Sequence, residues 1–551
     1  MVDKRMFHGA RLAIFVAMLT GLSSLPAADK VWQEGDVFYK LDLTDARVRT
    51  ALQTQGAEIV NEGRNGEPCV RITARAMLDG SAPKQMISIP VDVKALQGAR
   101  IGMVGMSRGE AIQGTDPTVP LWKWLGGKFK FTYDSASLGK RWYDQPALHG
   151  TYAWRDVGVI GGIADDVSEI QIALGVDRAA GTVWFSDIAL IVLQPKVTHV
   201  IATDTEKKLT QKTTRMRGVM TPNQFQAKDF EDMAAWGVNS VRWHMQGVKW
   251  KPQTYEQWLQ EHLDDLALAL DAAQKHGMKV VLNIMDTPGG RQPDGTHVMF
   301  LEKNHADQFI ANWEQMAQRF KDHPALWAYD LINEPVQTRP SPAGADDWLA
   351  LQVKTAKAIR KIDAKTPIMI EVDAWDSPES FRWLKPIDVP NIIYQAHMYW
   401  PGAFTHQGVS TDQGVAKDKN VENSLTYPGI VDGKMTDKEA LRRYLAPVRE
   451  FQLTYNVPIY IGEFSAVRWA PGAAQYLDDC ISIFEEYGWD WSYHAFREWP
   501  GWSVEHADLP RDKKNHPLAS QPTERFLVLK KWLAKNDGKA AMQSQSKKEG
   551  K

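Results

Sequence analysis

Cysteine is almost absent from this chain, which has two among 551 residues. Cys69 and Cys480 fall in segments that we assign to different domains, so a disulfide between them is possible but not favoured. No group of cysteine and histidine residues has the spacing of a metal site, and we expect neither a metal nor another cofactor. Hydrophobic residues make up 44% of the chain, which is enough for sizeable cores.

A strong charge of either sign is also lacking. The net charge is −2, and the basic residues form no long block. This argues against nucleic acid or an anionic membrane as the main partner. Tryptophan, in contrast, is abundant, with 22 copies. Core packing accounts for half or more of them. The rest suit a groove for a neutral polysaccharide, because flat indoles stack on the apolar faces of sugar rings.

Long apolar runs are missing beyond the start of the chain. Residues 1–28 resemble a secretion signal, in which basic residues precede an apolar core over Leu12–Leu22. This core is too short for a comfortable membrane span. We expect the signal to be removed and the protein to be secreted or periplasmic, without membrane association. A retained anchor is the alternative, because Pro26 makes the cleavage site imperfect.

Residues 29–197 have the pattern of an all-β sandwich. Short alternating runs recur between clusters of Gly, Asp and Pro, as at Cys69–Ile72, Ile87–Val91, Ile101–Val104, Val167–Leu174 and Gly181–Leu193. The last run resembles the closing strand of jelly-roll carbohydrate-binding modules. Two roles are open for this domain. It either binds glycan through Trp122, Trp124, Trp142 or Trp154, or acts as a structural cap on the next domain.

A polar linker over residues 198–213 leads to residues 214–536, which have a different sequence pattern. Apolar runs alternate there with amphipathic stretches, and eight candidate strands lie near Gly218–Met220, Ser240–Arg242, Val280–Ile284, Ala328–Ile332, Ile368–Val372, Ile392–His397, Ile459–Gly462 and Asp490–His494. Eight βα repeats over about 320 residues predict a (β/α)₈ TIM barrel of the α/β class. A doubly wound open sheet fits less well, because no Gly-rich phosphate loop is present. Residues 537–551 are polar and predicted to be disordered.

Two of these strands lead into a glutamate. Tyr329–Pro335 contains Glu334, and Pro458–Phe464 contains Glu463. Barrels place their chemistry at the carboxyl ends of the strands. Two carboxyl groups at that end are what glycosidic-bond cleavage needs, one as proton donor and one as nucleophile or base.

Other strand ends deliver further polar residues to the same opening. Strand two ends at Arg242, and strand six at His397 and Tyr399. A barrel interior is apolar, so Arg242 requires an anionic partner. Glu463 is the natural candidate.

These motifs, in this order, resemble glycoside hydrolase family 5, of the cellulase clan of (β/α)₈ retaining glycosidases. Asn333–Pro335 resembles the acid/base motif of the family, and Ile461–Phe464 its nucleophile motif. His397–Pro401, followed by Phe404–Gly408, resembles its strand-six signature. The resemblance covers residues 215 to about 535.

The resemblance implies catalytic roles for Glu334, as general acid/base, and Glu463, as nucleophile. It implies substrate-binding roles for Arg242, Asn333, His397, Tyr399 and Trp491. Asn333 would bind the sugar 2-hydroxyl, and Trp491 would form a platform beneath a sugar. Trp491 as an ordinary core residue is the alternative.

Three positions leave alternatives open. Met285 stands at the end of strand three, where the family often has a histidine, and Asp286 is the candidate to take over this sugar contact. Arg497 and Glu498 form either a remote sugar subsite or a surface ion pair.

The sequence therefore predicts a secreted, monomeric endo-β-glycosidase, with β-1,4-glucan as the leading substrate. A β-mannan or another β-glucan, exo-action, and a glycan-binding protein without activity are the competing interpretations.

Overall fold

A computed structural model describes residues 30–75, 84–114, 125–201, 215–221, 224–247, 254–409, 424–509 and 516–536. The predicted signal and tail, most of the predicted linker, and Trp122 and Trp124 lie outside these ranges. Within them, no helix combines the length and the apolar character that a membrane crossing requires.

The N-terminal part is a β-sandwich of two antiparallel sheets, as predicted. Its elements are β1 (Val37–Lys40), α1 (Ala46–Thr54), β2 (Glu58–Val60), β3 (Cys69–Ala74), β4 (Lys84–Asp92), β5 (Arg100–Gln113), β6 (Gly126–Ser135), β7 (Gly139–Asp144), β8 (Gly150–Gly162), β9 (Glu169–Asp177) and β10 (Ala180–Gln194). One sheet has the order β2-β3-β10-β5-β8, with β1 also paired to β10, and the other has the order β4-β9-β6-β7. In β9, buried Ile170, Ile172 and Leu174 alternate with more exposed residues, so one face enters the core.

The C-terminal part is a closed eight-stranded parallel barrel, also as predicted. Its strands are β11 (Arg217–Met220), β12 (Ser240–Met245), β13 (Lys279–Ile284), β14 (Leu326–Asp330), β15 (Ile368–Glu371), β16 (Ile392–Met398), β19 (Ile459–Phe464) and β20 (Asp490–Tyr493). A small hairpin, β17 (Gly429–Val431) and β18 (Lys434–Thr436), lies outside the barrel.

Helices surround the barrel. They are α2 (Ala227–Trp236), α3 (Tyr255–Lys275), α4 (Lys303–Phe320), α5 (Trp348–Ile362), α6 (Gly402–Thr405), α7 (Lys438–Tyr455), α8 (Ala473–Tyr487) and α9 (Glu524–Leu533). Helix α3 shows how the sequence defines such a start. Thr254 and Gln257 form a capping box there, which satisfies backbone donors of the first turn. Cys69 in β3 and Cys480 in α8 are both buried and form no disulfide.

Residues of the barrel strands alternate between the axis and the helices. A small apolar cluster fills the axis and consists of Val281, Ala328, Met369, Ile393 and Tyr460. Their neighbours, such as Val280 and Leu282, belong to the larger core shared with the helices. The axis is therefore closed by packed side chains, and polar residues can gather at the carboxyl end of the strands above this cluster.

Candidate active site

Arg242 is the buried hub of the site. In β12 it pairs with Val281 of β13, a residue of the axis cluster, and therefore faces the axis. Its guanidinium donates to Asp330 (2.8 Å), Glu371 (2.7 Å) and Glu463 (2.6 Å), and to the Asn333 side-chain oxygen (2.9 Å). Burial alone would lower the pKa of Arg242, but the three carboxylates outweigh it and raise the pKa well above its usual range. The anionic partner expected for Arg242 is thus a set of three acids that includes Glu463.

Glu463 is the second-to-last residue of strand β19 and is held as an anion. Its Oε1 accepts from Arg242, and its Oε2 accepts from the Tyr399 hydroxyl at 2.9 Å. Burial raises the pKa of Glu463 on its own, but the nearby His397, His494 and Arg242 reverse this and hold it well below the usual range. Burial and Glu463 together raise the pKa of Tyr399, so its hydroxyl keeps the proton that it donates.

Glu334 approaches from the other side of the opening. Its Oε1 lies 3.0 Å from Nδ1 of His397, and its side chain is 20% exposed, whereas that of Glu463 is 4% exposed. Glu334 has a left-handed backbone, with φ +52°, which is strained for a residue with a side chain. One ligand atom each from Glu334, His397 and Glu463 lie within 4.8 Å of one another. The two carboxyl groups therefore face the same small space.

Two fully buried acids support this arrangement and were missed in the sequence, one at the end of strand five (β15) and one in the segment after it. Glu371 accepts the backbone N–H of Glu334 at 2.6 Å. Asp376 places Oδ2 3.7 Å from Nε2 of His397. Burial, above all, raises the pKa of both carboxyls. The signal for Glu371 was available, since an acid in the buried run Ile368–Glu371 must face polar partners.

Trp491 does not line the opening, contrary to the prediction. It is fully buried, packs against Phe464 and donates its indole N–H to Glu485 of α8 at 2.9 Å. The physical reason is strand parity. Trp491 points to the helices, whereas Ser492 and His494 point to the axis side. The core alternative is the correct one for Trp491.

His494 takes the place that the sequence assigned to a tryptophan. Its Nδ1 lies 3.1 Å from Oε2 of Glu463 and also contacts the Tyr399 hydroxyl, and its Nε2 contacts Glu498. Burial alone would lower the pKa of His494, but Glu498 and Glu463 raise it to about 10. His494 is therefore an imidazolium between two carboxylates at neutral pH.

The remaining predicted positions separate into two groups. Arg497 forms ion pairs near the surface, but its partners are Asp229, Asp232 and Glu505 instead of the Glu498 that the ion-pair alternative named. Glu498 instead points inward and accepts from Gln246 at 3.0 Å. Asp286, at the end of strand three, accepts the backbone N–H of Gly247 at 2.5 Å and is only half-buried.

Aromatic side chains border the opening on both sides. Trp502 lies 5.7 Å from Tyr399 and 6.0 Å from His494 between ring centroids, and Trp499 packs on it. On the Glu334 side, Trp375 is 46% exposed, and the Arg291 guanidinium lies 5.0 Å from its ring. In the sandwich, Trp142 is exposed and Trp154 is half-buried.

Two groups of side chains among the described residues have the geometry to hold a cation. They are Glu334–His397–Glu463 and Glu371–Asp376–His397. Arg242 already binds an oxygen of Glu371 and one of Glu463. A metal ion would thus compete with the guanidinium for the same carboxylates.

Comparison with known proteins gives a consistent result. The family description Cellulase (glycosyl hydrolase family 5) matches residues 202–498. Endoglucanase C of Acetivibrio thermocellus is 27% identical over 289 residues, which covers 48% of this chain and 83% of that protein. A probable mannan endo-1,4-beta-mannosidase A-1 of Aspergillus terreus is 26% identical over 173 residues, covering 27% of this chain and 44% of that protein.

Among solved structures, Cel5A of Thermotoga maritima in complex with cellobiose is 22% identical, with a TM-score of 0.44. The aligned region covers 59% of this chain and 99% of the Thermotoga maritima chain. The family match extends over more than half of the chain and includes both glutamates. The chain therefore belongs to glycosyl hydrolase family 5 and is a glycoside hydrolase of the cellulase type.

Proposed function

We propose that the chain is a retaining endo-β-glycosidase that hydrolyses β-linked polysaccharide, with β-1,4-glucan as the preferred substrate. The observation that carries this proposal is the separation of Glu334 and Glu463, whose facing oxygens lie within 4.8 Å. Retaining glycosidases have carboxyl groups about 5–5.5 Å apart, whereas inverting ones leave about 6.5–9.5 Å for a water molecule. The endoglucanase relative supports a glucan substrate, and the mannosidase relative makes β-mannan the second candidate.

In the first step, Glu463 acts as the nucleophile. One of its oxygens bonds to the anomeric carbon while the glycosidic C–O bond breaks. Glu334 acts as the general acid, and the proton of its carboxyl group passes to the departing glycosidic oxygen. Arg242, Tyr399 and His494 hold Glu463 ionised and oriented for this attack.

In the second step, Glu334 changes from acid to base. It takes a proton from water, whose oxygen attacks the anomeric carbon and releases Glu463. Two inversions leave the sugar with its original anomeric configuration. His397, 3.0 Å from Glu334, keeps that carboxyl facing the anomeric centre in both steps.

Asn333 is oriented to bind the sugar. Its side-chain oxygen accepts from Arg242, so its amide NH₂ points away from the guanidinium. This leaves a donor for the sugar 2-hydroxyl, an interaction that strengthens in the transition state. On the same side, exposed Trp375 offers a stacking surface for the sugar that leaves.

A substrate panel with matched variants tests this proposal. Wild type should release reducing sugar from soluble β-glucan or β-mannan, and Glu463→Gln should show no measurable turnover. Glu334→Gln should lose about 10²–10⁴-fold. Glu439→Gln, at an exposed position on α7, is the control and should match wild type. Wild type that binds these glycans on an affinity gel but releases nothing would instead support a binding protein.

We further propose that residues 1–28 direct the enzyme out of the cytoplasm and that it acts as a monomer. The apolar run Leu12–Leu22 supports the first point. The mass of the mature protein, which should lack these residues, and its size in solution test the two points. A full-length mass or a dimer would contradict them.

A further inference from the structure

The β-sandwich packs against the loops that follow strands four and five of the barrel. The backbone N–H of Ile160 in β8 donates to the carbonyl of Thr338 at 2.8 Å. The indole N–H of Trp383 donates to the carbonyl of Gly98, also at 2.8 Å. Thr338 lies only four residues after Glu334. The sandwich therefore contacts the segment of the chain that immediately follows the acid/base residue Glu334.

The sandwich surface is shaped to receive these loops. A Cβ atom at Gly102 would lie 2.9 Å from the Pro340 ring, and one at Gly162 would lie 2.6 Å from the Trp383 ring. Both distances are shorter than van der Waals contact, so both positions require glycine. Pro340 and Trp383 thus occupy notches in the sheet, which is close packing of the kind found inside a domain.

A buried ion pair crosses the same interface. Arg100, at the start of β5, binds Asp373, which follows strand five. Their side chains are 10% and 2% exposed. Burial, above all, raises the pKa of Asp373, and Arg100 opposes this rise. The other oxygen of Asp373 accepts the backbone N–H of Gln337 at 2.8 Å.

The contact with Gln337 joins the segment after strand four to the loop after strand five, and two further hydrogen bonds join the same segment to strand five or to its loop. These two are Glu334 N–H to Glu371 Oε2 at 2.6 Å and Trp375 N–H to the Pro335 carbonyl at 3.2 Å. The strained, left-handed backbone of Glu334 depends on such supports, because a φ of this kind persists only where its surroundings fix it.

We propose that the sandwich is a fixed wall of the catalytic unit and that Arg100 is a positioning residue for Glu334, acting through Asp373. The proposal rests on the function proposed above for Glu334. It assigns the sandwich to the structural alternative and lets a residue of one domain position the proton donor of the other.

Leaving-group dependence distinguishes positioning of the acid from general stabilisation. Cleavage of 2,4-dinitrophenyl β-cellobioside needs no proton donor, whereas cleavage of cellotetraose does. Arg100→Met should lower kcat/KM for cellotetraose about 10–100-fold, as expected for a slightly misplaced catalytic group. The loss for the dinitrophenyl substrate should be less than a tenth as large. If the panel selects mannan, the corresponding mannosides replace these substrates.

Three further variants complete the design. Arg100→Met/Asp373→Asn removes both buried charges but keeps an oxygen that accepts from Gln337, so it should recover most of the activity. Arg100→Lys should retain more than Arg100→Met. Lys128→Met is the control, because Lys128 forms a buried ion pair with Asp144 inside the sandwich and should leave the substrate ratio unchanged.

Equal losses on both substrates, or none, would overturn the positioning role. Urea unfolding of the full chain tests the wall separately. One transition is expected for wild type, and two would overturn the fixed interface. If wild type hydrolyses neither substrate, the proposed function is wrong, and so is the positioning role of Arg100. The urea result would still show whether the sandwich and the barrel unfold as one unit.

Discussion

Replacing His494 by glutamine removes the cation next to the proposed nucleophile. Nδ1 of His494 lies 3.1 Å from Oε2 of Glu463, and its pKa of about 10 keeps it charged at neutral pH. The charged or titratable groups that face this pair are Arg242, His397, Glu334 and Glu498. Of these, Arg242 and His397 remain in the variant to oppose the protonation of Glu463.

The size of the effect follows from the geometry. Opposite charges 3.1 Å apart interact by about 5 kcal/mol at an effective dielectric constant of about 20. His494 also interacts with Glu498, so Glu463 receives only part of this energy. One nearby opposite charge typically shifts the pKa of an acid by about 1–3 pH units. Loss of the cation raises the pKa of Glu463, and only the ionised form attacks. The acidic limb of the kcat/KM profile should therefore move up by about 1–3 pH units.

The assay is the pH profile of kcat/KM on the best soluble glycan, for wild type and His494→Gln. His323→Gln is the matched control, because His323 lies 3.2 Å from Asp271 far from the site. Its profile should coincide with that of wild type. Coincident acidic limbs for wild type and His494→Gln would refute the assigned role of His494.

Three further predictions concern binding and stability. Arg242→Met should lower the free energy of unfolding by about 3–5 kcal/mol in urea titrations, because it leaves three carboxylates buried without their cation; an unchanged value would contradict this. Trp375→Ala should raise KM about fivefold with little change in stability, since an aromatic stacking contact contributes about 1 kcal/mol; an unchanged KM would remove Trp375 from the substrate path. His494 has a raised pKa in the folded state, so its contribution to stability is complete below about pH 6.5 and is lost as the pH rises toward 10. Between these values the free energy of unfolding should fall by up to about 5 kcal/mol more in wild type than in His494→Gln, and equal falls would contradict the assignment.

The barrel was predictable because its strands are buried on both faces and rich in apolar residues. Runs such as Ile459–Phe464 and Ile392–Met398 are fully buried, and helical periodicity separates them. The edge of the sandwich was harder to recognise. In β7 no residue is fully buried, so Gly139–Asp144 has no apolar alternation to detect.

Within the site, motifs identified the residues that define the chemistry but not their supports. Arg242 was found because a cation between apolar strand residues needs a partner. The choice of Trp491 failed because it followed the family resemblance and not strand parity, which selects His494. The contacts of Asp373 with Arg100 and of Pro340 with Gly102 join residues far apart in sequence, and no local pattern indicates such contacts.

The configuration of the first product tests the central claim most directly. Proton NMR during the earliest turnover of a soluble β-linked oligosaccharide distinguishes the anomers before mutarotation mixes them. Double displacement through Glu463 predicts that the β-anomer forms first. Initial release of the α-anomer would show a single inversion and would contradict the roles given to both glutamates.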